Sequence, residues 1–142
     1  MLKPAAFWDA SVLVTLCLNQ TPTPQALVFE GKYQIAVWWA TYVELASALT
    51  FSLRRHEITP KEFAQAKLQA EGLARLWDVI EPSAKVALDA RVLLELYPLR
   101  AADALQLAAA LQWCESKPSG KVFLTFDQRL REAAGLAGFA LE

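Results

Sequence analysis

The chain has 142 residues, of which 55% are apolar and 20% charged, with a formal net charge of −1. This composition excludes a disordered chain and fits a single domain, residues 1–142, with a real core. With no global basic field, any nucleic-acid binding has to rest on local basic patches. The start lacks a basic region followed by a clean apolar stretch and a small-residue cleavage site. Its apolar run is broken by Asp9 and is too short to span a bilayer, so no membrane association and a cytoplasmic location are expected. Cys17 and Cys114 lie far apart in apolar segments. They read as buried free thiols, with neither the number nor the spacing for a zinc site.

Ala5–Asp9 reads as a short buried strand, and Ser11 as the cap of a helix reaching about Asn19. Thr21-Pro22 is a turn, and Thr23-Pro24 is a cap with proline at the first helical position, opening a short helix to about Gly31. Gln34–Trp38 is the second strand. Thr41–His56 is helical, with Val43, Ala46, Leu49 and Leu53 at helical spacing. Thr59-Pro60-Lys61-Glu62 is a capping box that opens an amphipathic helix to about Trp77. Asp78–Glu81 is β-like. Ser83–Leu96 is helical and stops near Pro98, and Arg100–Cys114 is a helix rich in alanine and leucine. After the turn at Ser116–Gly120, Lys121–Thr125 is the clearest strand. Asp127–Ala134 is a short helix and Phe139–Leu141 a final strand. Alternating strands and helices predict an α/β fold, a mostly parallel sheet of four to five strands between helical layers.

Four acids stand among apolar neighbours: Asp9 after Ala-Ala-Phe-Trp, Glu44 in Thr-Tyr-Val-Glu-Leu-Ala, Asp103 in Ala-Ala-Asp-Ala-Leu, and Asp127 closing Val-Phe-Leu-Thr-Phe-Asp. An ionised carboxylate in such surroundings is costly unless a cation or several donors compensate it. Each acid also has an ordinary structural reading. Thr41 and Glu44 have capping-box spacing, Asp127 can cap the next helix, Asp103 can complement a helix dipole, and Asp9 can accept from backbone amides. Taken together, they are delivered by four elements at strand ends or helix starts, where ligands of open α/β sheets bind. Oxygen ligands without imidazole or thiolate suit Mg²⁺ or Mn²⁺. On this reading, changing Asp9 or Asp103 to Asn leaves the metal-free fold at least as stable, because like charges repel.

The segments Phe-Trp-Asp-Ala-Ser-Val-Leu, Thr-Tyr-Val-Glu-Leu-Ala-Ser-Ala-Leu, Leu-Arg-Ala-Ala-Asp-Ala-Leu-Gln-Leu-Ala-Ala-Ala and Leu-Thr-Phe-Asp-Gln-Arg-Leu resemble, in order and over nearly the whole chain, the four motifs of PIN-domain proteins. They look most like the VapC-type toxins of prokaryotic toxin–antitoxin pairs. The resemblance implies an α/β/α sandwich and a metal-dependent endoribonuclease whose products carry 5′-phosphate and 3′-hydroxyl. It maps the catalytic, metal-holding cluster onto Asp9, Glu44, Asp103 and Asp127, with Ser11 and Thr125 in support. It also implies a homodimer and an antitoxin that inserts a segment at the site. Two departures stand out: Trp38-Trp39 replaces smaller or hydroxyl residues, and Gln106 stands where many relatives carry histidine.

Arg54, Arg55 and Arg100 are candidate contacts for RNA phosphates, although cations at a helix end also complement its dipole. Lys117, Lys121, Arg129 and Arg131 are candidates for a basic rim, with an ordinary solvated face as the alternative for most of them. One of Trp38 and Trp39 is free to stack on a base or meet a partner, since neighbours in a strand face opposite sides. His56 is not placed to act as a general base, and Ser11 and Ser47 lack a base for a hydrolase triad. Three alternatives remain: an inactive PIN-like module that binds a partner or RNA, a housekeeping RNA-processing nuclease, and a receiver-like signalling domain. The last would want paired acids after the first strand, where this chain has Asp9 alone.

Overall fold

A computed structural model describes residues 2–18 and 24–142. Four strands, β1 (Ala5–Trp8), β2 (Gln34–Trp38), β3 (Asp78–Ile80) and β4 (Val122–Leu124), form one parallel sheet in the order β3-β2-β1-β4. Seven helices are described: α1 (Ala10–Cys17), α2 (Pro24–Lys32), α3 (Thr41–Arg54), α4 (Pro60–Ala74), α5 (Ala84–Leu96), α6 (Ala101–Trp113) and α7 (Gln128–Ala137).

The alternation of side chains along the strands sorts the core into two layers. Phe7, Ala36, Trp38 and Phe123 pack with the buried residues of α5, α6 and α7. Ala6, Trp8, Val37 and Leu124 face the other way, against α1 and α2, and a smaller cluster joins α1 to α3 and α4. Phe7 and Trp8 are both fully buried, each contributing about 2 kcal/mol or more by removal from water. Cys17 and Cys114 are buried free thiols. Among the described residues no helix is long and apolar enough to cross a membrane.

Local signals explain most boundaries. Thr59 and Glu62 form the reciprocal capping box expected of them, and Ser83 caps α5 by accepting from the Val86 amide at 3.1 Å. Elsewhere the structure differs from the sequence reading. Asp9, not Ser11, occupies the N-cap position of α1, and its side chain makes no capping bond to the helix. That helix closes at Cys17, and the Thr21–Thr23 turn and cap lie outside the described residues. The last strand shrinks to one parallel bridge, Val122 to Ala140, while Phe139 and Leu141 pack on the core just after the left-handed α7 C-cap at Gly138 (φ 114°).

The strand order fixes where a site can form. From β1 the chain steps through β2 to β3 on one side, while β4 lies on the other, so the order reverses between β1 and β4. Crevices at such reversals open beyond the carboxyl ends of the strands. Trp8 is in register with Leu124, which brings the next residues, Asp9 and Thr125, together at that rim.

Candidate metal and active site

Asp9 is 7% exposed, and its carboxylate accepts three side-chain hydrogen bonds. Ser11 Oγ donates to Oδ2 at 2.6 Å, Thr125 Oγ1 donates to Oδ2 at 2.8 Å, and Gln106 Nε2 donates to Oδ1 at 2.7 Å. Both hydroxyls are themselves fixed by backbone: Ser11 Oγ accepts from the Phe126 amide at 2.9 Å and Thr125 Oγ1 from the Asp127 amide at 3.0 Å. The turn after β4 thus locks two donors onto the end of β1. Donors of this kind offset the cost of burying a carboxylate.

Glu44 lies in the first turn of α3 and is half-buried. Among the described residues nothing donates a hydrogen bond to it. The expected capping box fails because the Thr41 hydroxyl turns inward and donates to Gln106 Oε1 at 3.3 Å instead. Burial first, then the charges of Asp9 and Asp103, push the Glu44 carboxyl up to about 7. Asp103, in the first turn of α6, is raised for similar reasons: desolvation leads, partly offset by the Arg100 amide 3.4 Å away, with Asp127 and Asp9 adding repulsion. Asp127 is exposed and caps α7, accepting from the Leu130 amide at 3.0 Å. Its ordinary structural role is therefore present, and its charge adds to the repulsion at Asp103.

The four acids therefore share one electrostatic neighbourhood. None of them is in an ion pair among the described residues, where the pairs are Lys32–Glu142, Arg55–Glu57 and Lys85–Asp89. Also among the described residues, no three acid, imidazole or thiol groups stand close enough to grip one ion directly. Ligation by three of these carboxylates would need side-chain rotation or intervening water. The donor set itself, carboxylates with hydroxyls behind them, fits a hard, oxygen-seeking divalent cation.

The arginines divide. Arg100 lines a polar cleft of about 450 Å³ together with Asp103, Asp127, Gln128 and Arg129. Arg54 and Arg55 lie at the far end of α3, about 15 Å along the helix axis from Glu44 at 1.5 Å per residue. Arg55 there pairs with Glu57 at 3.9 Å and covers the Phe51 ring. The structure separates these two from the acids. Trp38 is buried, whereas Trp39 is 54% exposed just past the end of β2. Gln106 and Thr41 are the polar residues whose part the sequence does not reveal. A glutamine one turn after Asp103, in a helix otherwise buried through alanine and leucine, is the signal that could have pointed to them.

The PIN-domain family profile matches residues 6–136. The chain is 31% identical over 136 residues to a protein named Ribonuclease VapC45 from Mycobacterium tuberculosis, covering 95% of this chain and 92% of that protein. Its fold is similar to that of the crystal structure of PAE2754 from Pyrobaculum aerophilum, with a TM-score of 0.67 at 20% identity, covering 97% of this chain and 89% of that one. It is also similar to a toxin–antitoxin complex from Klebsiella pneumoniae, with a TM-score of 0.61 at 20% identity, covering 88% of each chain. By profile, identity and coverage, this chain belongs to the PIN-domain family and is a VapC-type member of it.

Proposed function

We propose that the protein is a metal-dependent endoribonuclease, the toxin of a toxin–antitoxin pair acting in the cytoplasm on RNA. The observation that carries the reading is the state of Glu44: a half-buried acid facing two others, with no cation and no donor among the described residues to offset it. Leaving charge uncompensated there is costly for a fold, and is expected where a divalent ion completes the site. A relative named a ribonuclease and a neighbour described as a toxin–antitoxin complex support the same reading.

Asp9, Glu44 and Asp103 would hold Mg²⁺ or Mn²⁺, directly or through water, with Asp127 acting from farther out. Such an ion, when bound, polarises a water for in-line attack and offsets charge on the phosphodiester. Ser11 and Thr125 hold the Asp9 carboxylate in place. Arg100 lies where a phosphate entering the cleft would meet a guanidinium, while Arg54 and Arg55 would reach only a longer strand. Exposed Val43 and Phe51 on α3 and Leu88 and Val92 on α5 supply apolar surface for an antitoxin segment and a homodimer contact.

The test is cleavage of single-stranded RNA by purified protein with Mn²⁺, with Mg²⁺, and with chelator. Metal-dependent internal cuts that vanish in Asp103→Asn are expected. No cutting by the metal-loaded protein across a varied RNA panel, or equal cutting by Asp103→Asn, would overturn the proposal. Growth arrest on expression, reversed by the product of a neighbouring gene, separates a toxin from a housekeeping nuclease.

A further inference from the structure

Four polar or charged side chains are buried among the described residues: Asp9, Thr41, Gln106 and Thr125. All four belong to one hydrogen-bonded network, and Asp9 is its centre. Thr125 supports Asp9 from the turn just past β4. The Thr41–Gln106 arm runs elsewhere, crossing from α3 to α6 and then to the end of β1. Thr41 is 0% and Gln106 1% exposed, in surroundings where an apolar residue would pack at lower cost.

The position of this arm is informative. Thr41 precedes Glu44 by three residues on α3, and Gln106 follows Asp103 by three on α6, so each shares a helix face with a site carboxylate. The arm therefore ties the two acid-bearing helices to the third acid, one turn away from each carboxylate. Its polarity is also defined by the contacts. Gln106 presents Nε2 to Asp9 Oδ1. Thr41 donates to the Oε1 left on the other side and opposes a flip of the amide.

We infer that Gln106, oriented by Thr41, is a positioning residue that sets the mutual placement of Asp9, Glu44 and Asp103 for a divalent cation. The inference rests on the metal-site reading proposed above. Groups that orient ligands from behind typically change metal affinity 10- to 100-fold when removed. Gln106→Leu keeps the volume and the apolar fit of α6 but removes the donor. Gln106→His restores an N–H donor. Thr41→Val frees the amide to turn.

The experiment is calorimetric Mn²⁺ titration of the wild-type protein and the three variants, with thermal melts of the metal-free forms and kcat and KM on an RNA substrate. Gln106→Leu should bind Mn²⁺ about tenfold or more weakly and lose kcat with KM for RNA nearly unchanged. Thr41→Val should move the same way by less, and Gln106→His should recover most of the affinity. Mn²⁺ affinity of Gln106→Leu within twofold of wild type in a folded protein would overturn the inference alone. So would equal loss in Gln106→Leu and Gln106→His, which marks a merely structural role. Absence of Mn²⁺ binding in the wild type would instead overturn the metal reading beneath it.

Discussion

Asp9 and Glu44 are neighbouring carboxylates, but the chain treats them differently. Asp9 is buried at the end of β1 and accepts from two hydroxyls and an amide supplied by three separate elements. Glu44 is half-buried at the start of α3 and accepts from none of the described residues, and its carboxyl is pushed up to about 7. The difference teaches that burial alone does not decide whether an acid is tolerated. Neutral donors can be built into the fold for one carboxylate, while a second and third set beside it repel until something positive arrives.

The sharpest way to break this comparison is Asp9→Ala. It strands two buried donors, Gln106 and Thr125, and the half-buried Ser11 hydroxyl, and should cost about 2–4 kcal/mol of metal-free stability, read by denaturant unfolding. RNA cleavage should fall on the order of 10³-fold or more, by loss of several kcal/mol of metal-dependent stabilisation. The same donors revise the expectation that neutralising Asp9 spares the fold. Asp9→Asn turns a donor toward groups that are already donating, so it should destabilise, whereas Asp103→Asn should not. Equal stability of Asp9→Ala and the wild type would remove the claim that the donors serve Asp9.

Glu44→Gln tests the other side. The unfolded carboxyl titrates near 4.3 and the folded one at about 7. Between those values the native state holds a proton that the unfolded chain has released, so stability falls as pH rises through this window. Removing the acid should therefore raise the metal-free melting point at pH 8 and leave it nearly unchanged at pH 4. After discounting for the solvent that reaches Glu44, the gain at pH 8 is about 1 kcal/mol, or roughly 3–5 °C. Mn²⁺ binding to the wild type should strengthen from pH 6 to 8, since the ion competes with that proton. A gain in melting point of the same size at both pH values would show that charge is not the cause.

The smallest expected effect concerns Asp127. Asp127→Ala should cost about 1 kcal/mol through the lost α7 cap, while Asp127→Asn should cost little because asparagine caps as well. An Asp127→Asn protein as unstable as Asp127→Ala would mean that the charge, not the cap, holds the turn.

The parts of the fold governed by local chemistry were legible in the sequence. Gln34–Trp38 is β2 as read, Thr59-x-x-Glu62 is a true capping box, and Ser83 opens α5. The acids could be read as a group because each stands alone among apolar neighbours. Thr41 could not be read correctly, since Thr-x-x-Glu has the same spacing whether the hydroxyl turns to the backbone or to another helix. Gln106 was legible only as a departure from a family habit. Its partners lie 65 and 97 residues away, beyond anything periodicity reports. The last strand was overread because its apolar residues serve the core while only Ala140 pairs.

That one pairing has a consequence of its own. The Phe123 amide donates to the Ala140 carbonyl at 3.0 Å, and the Ala140 amide donates to the Lys121 carbonyl at 2.8 Å. The outward rim of β4 is thereby occupied by the protein's own tail rather than left as a template on which a second chain could dock strand to strand. Peeling residues 138–142 away would expose a short, apolar and unguarded margin, and self-association during refolding would report it.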